Sequence, residues 1–134
     1  MAQSEAELID DASFSEAVEA TNQALEPRGL YLTHIWGPEQ QILTPRWREQ
    51  CRPVQALELA RLEVIVLGPL DLVVSKLCRA DDLDLEDIRY LIEHEQLSSD
   101  QVRAAVRDAV VPPIFADVFP VSIGKLEIML RSLS

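Results

Sequence analysis

Two cations in the middle of the chain are the residues best placed to do chemistry. Lys76 and Arg79 fall three residues apart in a predicted helix, on the side opposite its apolar stripe, and within about 60° of each other. They therefore point the same way and could hold an anion such as a phosphate. The segment that follows, DDLDLED, contains Asp82 and Asp84, which resemble a metal-binding acidic pair, although helix capping alone would also explain acids at that place.

A strand and two helices are predicted to position these side chains. From Leu62 to Leu67 one face of the predicted strand is wholly apolar and the other nearly so. This pattern indicates a strand that is covered on both faces or lies in the middle of a sheet, and Gly68 and Pro69 end it. The next helix is predicted from an apolar stripe at helical spacing, made of Leu70, Val73, Val74, Leu77 and Cys78. Asp84 is predicted to cap a second helix over residues 85–95, because its carboxylate can accept from the free amides of the first turn.

The run GPLDLVVSKLCRADDLDLEDIRYLI resembles the C-terminal signature of bacterial nucleotidyltransferase-fold proteins of the toxin-antitoxin and abortive-infection (AbiEii-like) type. The matching positions are Asp71, Leu72, Lys76, Leu77, Arg79, Asp84, Leu85, Asp87 and Ile88. The resemblance covers residues 62–95, with a looser likeness over 13–44. It implies that Lys76 faces the phosphates of a nucleotide and that Asp84 lies close to the same site. Arg79, which points the same way as Lys76, is the third candidate nucleotide-binding residue.

The chain also departs from that family pattern. The resemblance implies an upstream Gly-Ser element and an acidic pair that hold Mg²⁺ and the triphosphate, but no Gly-Ser dipeptide occurs in this sequence. Leu83 replaces the basic residue that commonly precedes the first aspartate. We therefore expect a reduced, catalytically inactive nucleotidyltransferase-like protein that binds nucleotide or forms part of a toxin-antitoxin-like system, with Mg²⁺ as a cofactor only if the protein is active.

Two alternatives stay open. One is a non-enzymatic protein-protein interaction module that uses the fold only as a scaffold. The other is an active Mg²⁺-dependent nucleotidyltransferase whose acidic pair comes from Asp10 and Asp11 or from Asp82 and Asp84. A sheet that lacks strands present in its relatives would leave an open edge, so a protein partner or a homodimer is also expected.

Length and charge set the remaining limits. The length of 134 residues predicts a single domain. The predicted elements indicate the α+β class, a small mixed sheet with packed helices, and the resemblance implies a truncated nucleotidyltransferase-like fold. The domain is predicted to consist of an acidic tail over 1–11, a sheet and helix core over 12–97, and C-terminal helices over 98–134. The net charge of −11 disfavours nonspecific nucleic-acid binding and contact with anionic membranes. Two isolated cysteines and the lack of a long apolar run favour a cytoplasmic protein without a membrane span.

The rest of the chain yields five local predictions. Ser13 and Glu16 resemble a capping box for a helix that Pro27 and Gly29 end, and LYLTHIW from Leu30 to Trp36 predicts a strand. The segment TPRWREQCR sets arginines around a tryptophan, which could bind phosphate or stack on a base but is more typical of an exposed loop. Near the end of the sequence, Ser98 and Gln101 predict another capping box, and Glu127 and Arg131 predict an ion pair within the last helix.

Overall fold

A computed structural model of the protein describes residues 11–33, 36–54 and 63–134. About two-thirds of these residues are helical, and strands form one short antiparallel pair, which confirms the predicted α+β class. The chain divides into two compact units. The first contains Met1–Pro38 and Arg52–Val66, and the second contains Glu39–Cys51 and Leu67–Ser134. The single domain with its boundaries at residues 11 and 97 stays a prediction.

Helix α1, Ala12–Leu25, is the main element of the first unit. Its N-cap is Asp11, whose carboxylate accepts from the backbone N–H of Ser13 at 2.7 Å, so the predicted capping box at Ser13 is wrong. An aspartate two residues earlier performs the same chemistry and starts the helix sooner. A short 3-10 turn, Glu26–Arg28, follows, and Gly29 ends it in the left-handed conformation, as its sequence predicts.

The strand predicted over Leu30–Trp36 does not form in the part of that segment that the structure describes, residues 30–33 and 36. A side chain supplies the reason. The amide of Asn22, in α1, accepts from the backbone N–H of Leu32 at 2.7 Å and donates to the Leu32 carbonyl at 3.0 Å. Both ladder groups of Leu32 are therefore satisfied without a neighbouring strand. His34 and Ile35 lie outside the described residues.

The strand pair of the first unit joins β1, Arg52–Pro53, to β2, Ile65–Val66, in antiparallel register, and Val54 N–H donates to the Val64 carbonyl at 3.0 Å. The strand predicted over 62–67 is thus found, but shorter. It is not covered on both faces, because Ile65 is 49% and Val66 42% exposed. Residues 55–62 lie outside the described part of the chain.

The second unit is helical. After the short helix α2, Trp47–Gln50, it contains α3, Pro69–Ser75, with a 3-10 turn at Lys76–Cys78, then α4, Asp82–His94, α5, Ser99–Asp108, a 3-10 turn at Pro113–Phe115, and α6, Val118–Ser132. An isolated bridge pairs Leu43 with Val110. The core includes Ile42, Val73, Val74, Leu77, Ala80, Ile88, Ile92, Val102, Ala105, Leu126, Met129 and Leu130. The apolar stripe that predicts α3 is buried as expected at Val73, Val74 and Leu77.

Helix ends explain how this unit is arranged. Gly68 precedes α3 because a side chain there would collide with Gln50, whose Cβ would lie 2.8 Å from an added Cβ. Ser98 and Gln101 form the predicted capping box of α5. Glu127 of α6 forms a direct ion pair with Arg103 of α5, at 3.0 Å from Nε to Oε1, and its predicted partner Arg131 adds a weaker electrostatic attraction. That pair joins α5 to α6.

No helix in the described ranges is both long and apolar enough to span a bilayer.

Candidate functional site

The link between α3 and α4 brings the predicted site residues together. The last turn of α3 tightens into the 3-10 turn that carries Lys76, and its buried residue Leu77 anchors this turn in the core. Ala80 then adopts a left-handed conformation, with φ of 52°, and its N–H donates to the Lys76 carbonyl at 2.9 Å. Such a left-handed residue is a common way to end a helix. Only Arg79, Ala80 and Asp81 separate the two helical segments, so their polar side chains converge.

Asp81, and not Asp84, is the N-cap of α4. The Asp81 carboxylate accepts from the Asp84 N–H at 2.9 Å, and the Asp84 carboxylate accepts from the Asp81 N–H at 3.4 Å, so the two form a reciprocal capping box. The predicted N-cap is therefore wrong by three residues. The run DDLD offers several aspartates with the same capping chemistry, and the left-handed turn at Ala80 selects the first one.

Asp84 is the buried anion of the site, with a side chain only 7% exposed. Its Oδ2 accepts from Arg79 Nε at 2.8 Å and its Oδ1 from Arg79 Nη2 at 3.1 Å, which makes a two-pronged ion pair. This hydrogen bonding with Arg79 is the main reason that the pKa of Asp84 lies below its usual value, against the opposing effect of burial. The same pair raises the pKa of Arg79. Asp84 is therefore ionised and neutralised by Arg79.

Lys76 is held in a different way. Its Nζ lies 2.7 Å from Asp87 Oδ2 and 3.6 Å from Asp84 Oδ1. The Asp87 side chain is 59% exposed, so the closer of the two partners can be hydrated if the ammonium leaves it. Because Arg79 already satisfies Asp84, Lys76 can exchange its partner without leaving a buried carboxylate unpaired.

Arg79 keeps donors available as well. Its side chain is 68% exposed, and its Nε also lies 2.8 Å from Asp81 Oδ2. Among the described residues, its Nη1 makes no hydrogen bond. The structure thus brings Lys76, Arg79 and Asp84, the three predicted site residues, into one network. Two cations and the three carboxylates of Asp81, Asp84 and Asp87 give this network a formal charge of −1.

The acidic pairs proposed for an active transferase have a different arrangement. Asp82 and Asp84 are two residues apart in α4, and side chains at that spacing do not face each other. Asp82 is exposed while Asp84 is buried against Arg79. Asp11 caps α1, and Asp10 lies outside the described residues. Across residues 11–33, 36–54 and 63–134, no three His, Cys, Asp or Glu side chains are grouped as metal ligands.

The tryptophan with neighbouring arginines is largely engaged in local contacts. The Arg48 guanidinium lies over the Trp47 ring at 4.4 Å, and Arg46 forms an ion pair with Glu49 at 2.6 Å. Arg52 belongs to the other compact unit. Both cysteines are free thiols, and burial raises the pKa of Cys51 and of Cys78, so neither is an activated nucleophile.

Two features of the second unit escape sequence reasoning. Asp71, in the first turn of α3, is buried and accepts from the N–H and the hydroxyl of Thr44 at 2.7 and 2.8 Å, which ties the chain before α2 to α3. A lone aspartate in a helix gives no signal for such a long-range contact. Tyr90 and His94 stack on the surface of α4, and their spacing of four residues was the available signal.

Comparison with known proteins identifies the family. The model of the DUF6036 family, described as a nucleotidyltransferase of unknown function, matches residues 9–117. The chain belongs to this family. The match includes Lys76, Arg79 and Asp84 and confirms that the protein is nucleotidyltransferase-like, as the resemblance implies. No curated protein and no solved structure matches the chain.

Proposed function

We propose that this DUF6036 protein is a reduced nucleotidyltransferase-like domain that binds a nucleotide at Lys76 without transferring it, as a component of a cytoplasmic toxin-antitoxin-like system. Membership of a nucleotidyltransferase family supports nucleotide as the ligand class. The single observation that carries the proposal is that the two cations are bound to carboxylates of very different exposure. Arg79 is fixed on a buried carboxylate, and Lys76 is bound most closely to an exposed one.

Binding follows from an exchange of partners at Lys76. The ammonium leaves Asp87 for a phosphate oxygen, Asp87 is hydrated, and Asp84 stays neutralised by Arg79. The unused Nη1 of Arg79 supplies further donors toward the same ligand. Because the network carries a formal charge of −1 before binding, a free triphosphate gains only part of the attraction that two cations would give it. We therefore expect modest affinity for nucleotide alone.

Three observations support binding without transfer. Nucleotidyl transfer works through metal ions that carboxylates hold against the phosphates. Asp82 and Asp84 point away from each other on α4, and Asp84 is engaged with Arg79. The Gly-Ser element that the family resemblance implies is missing from the sequence.

The test is a titration of the purified protein with nucleoside triphosphates in the presence of a chelator and again with Mg²⁺, followed by calorimetry and thermal shift. Lys76→Ala should weaken binding by about 10- to 100-fold, since hydrogen bonds to charged groups contribute roughly 1.5–3 kcal/mol. Arg107→Ala is the matched control, because it removes one exposed cation from α5 and causes the same change of net charge. Equal binding by the wild type and Lys76→Ala would overturn the assigned site.

A transfer assay separates this proposal from the active alternative. Wild-type protein is incubated with labelled nucleoside triphosphates, Mg²⁺ and either RNA or protein acceptors. We expect no label on any acceptor. Covalent labelling that depends on Mg²⁺ would show that the protein is an active nucleotidyltransferase and would overturn the proposed inactivity.

A non-enzymatic interaction role is the second candidate, and the β1–β2 pair favours it. Ile65 and Val66 are both substantially exposed, in a pair that contains only two strands within the described residues. A second copy of the chain could cover this apolar surface. Size-exclusion chromatography with light scattering should then show a dimer that Ile65→Lys dissociates. A monomer at high concentration would count against self-association.

A further inference from the structure

An aromatic pair lies on α4 next to the partner of Lys76. The rings of Tyr90 and His94 are stacked, with centroids 5.1 Å apart and planes only 12° from parallel. Both residues are exposed, and Tyr90 is 61% exposed. A tyrosine with so much of its ring in water contributes little to the core of its own unit. An i, i+4 pair of this kind stabilises a helix by only a fraction of a kcal/mol.

The position of the pair is more informative than its stability. Asp87, Tyr90 and His94 are separated by three and four residues, so they follow one another along the same side of α4. Lys76 reaches that side at Asp87, where its Nζ lies 2.7 Å from the carboxylate. Three residues separate Asp87 from Tyr90, a rise of about 4.5 Å along the helix. A cation and an exposed aromatic surface are therefore neighbours.

We propose that Tyr90, supported by His94, is the stacking surface for the base of the nucleotide whose phosphates bind Lys76. This inference rests on the proposed function and adds the part of the site that contacts the base. The phosphates of the nucleotide bind the ammonium of Lys76, and its base stacks on the ring of Tyr90. The two contacts therefore use different chemical features of one ligand. Every base has an aromatic face, so stacking does not select among the four bases.

The experiment compares two ligands on the full-length protein with a chelator present. ATP carries a base, and inorganic tripolyphosphate carries the phosphates alone. Wild-type protein should bind ATP more tightly than tripolyphosphate. Tyr90→Ala should weaken ATP binding roughly 5- to 100-fold, the range expected for one base stacked on an aromatic ring, and should leave tripolyphosphate binding unchanged. Tyr90→Phe should retain the affinity for ATP, because it keeps the aromatic face.

Two further variants serve as references. Lys76→Ala should weaken the binding of both ligands, because it removes the contact to phosphate. Tyr31→Ala removes another exposed tyrosine and should alter neither affinity, so it controls for the loss of a tyrosine side chain as such. In proton NMR spectra, the ring signals of Tyr90 and His94 should move upfield on addition of ATP, as expected when a base covers them, and should stay in place with tripolyphosphate.

The outcomes separate this inference from the proposed function. If Lys76→Ala weakens binding of both ligands while Tyr90→Ala weakens neither, the phosphate site stands and the stacking surface is refuted. An equal loss for ATP and tripolyphosphate in Tyr90→Ala would also refute it, because Tyr90 would then act only through the structure of α4. If wild-type protein binds neither ligand, both the proposed function and this inference fail.

Discussion

Replacing Asp87 by asparagine should tighten nucleotide binding. In the proposed binding step, Asp87 is the partner that Lys76 leaves, and its carboxylate adds negative charge where phosphates are expected to bind. The substitution changes the formal charge of the network of Lys76, Arg79, Asp81, Asp84 and Asp87 from −1 to 0. Asparagine keeps the size of the side chain, and Lys76 still has Asp84 at 3.6 Å. The fold should therefore be retained while the ammonium becomes easier to recruit.

The size of the effect follows from the exposure of Asp87. Its side chain is 59% exposed, so its interaction with a phosphate is screened nearly as in water. At a separation of about 5 Å in that medium, two unit charges repel each other by about 0.8 kcal/mol, which corresponds to about a fourfold change in the dissociation constant. The gain should shrink as salt is added, because the Debye length falls to about 8 Å at physiological ionic strength.

Calorimetric titration with ATP in a chelating buffer measures this change. Glu93→Gln is the matched control, because it removes the same charge from an exposed position of α4 about 9 Å further along the helix. It should change the affinity much less than Asp87→Asn does. Weaker binding by Asp87→Asn would refute the partner exchange, since it would mean that Asp87 itself assists the ligand. An equal gain in affinity for ATP in both variants would mean that the effect comes from the change of net charge and not from the pairing of Asp87 with Lys76.

Two further predictions concern stability. The lowered pKa of Asp84 means that its ionised form stabilises the fold above the ordinary aspartate pKa of about 3.9, and that this contribution is lost as the pH falls from there through the lowered pKa of the folded state. Asp84→Asn should therefore cost about 1–3 kcal/mol at neutral pH and flatten the loss of stability in acid, as measured by urea unfolding across that range; an unchanged acid profile would contradict it. The buried hydroxyl of Ser122 has no hydrogen-bond partner among the described residues, so Ser122→Ala should raise the free energy of unfolding by about 1 kcal/mol, and a lower melting temperature would contradict this.

The sequence predicts the part of the site that is formed by residues close together in the chain. Lys76, Arg79 and Asp84 lie within nine residues at the junction of two helices, so the apolar stripe of α3 and the acidic start of α4 are enough to predict that they converge. The capping residue could not be chosen in the same way. Asp81, Asp82 and Asp84 share one chemistry, and the choice depends on the left-handed turn at Ala80, a conformation that alanine rarely adopts.

The strand predicted over residues 30–36 does not form in the described residues 30–33 and 36, and the cause is non-local. Its alternation of aromatic and β-branched residues is a real strand signal, but a strand needs a neighbour to pair with. The side chain of Asn22 hydrogen-bonds both the N–H and the carbonyl of Leu32 across the turn at Gly29. The position of this asparagine in the sequence does not predict the contact. A pattern of hydrophobic residues does not predict that a side chain will make the backbone hydrogen bonds that a neighbouring strand would otherwise make.

The division of roles between the two cations is a consequence of burial rather than of residue type. Both Lys76 and Arg79 lie near Asp84, and a pattern of charges alone would treat them as equivalent. Removing Arg79 from Asp84 would strip a carboxylate that is 7% exposed of its two-pronged partner, whereas removing Lys76 from Asp87 returns a 59% exposed carboxylate to water. A nucleotide bound as proposed would therefore meet one cation that must stay on its carboxylate and one that is free to move. For this reason Lys76 is the residue that binding measurements should follow, while Arg79 positions Asp84 and through it the start of α4.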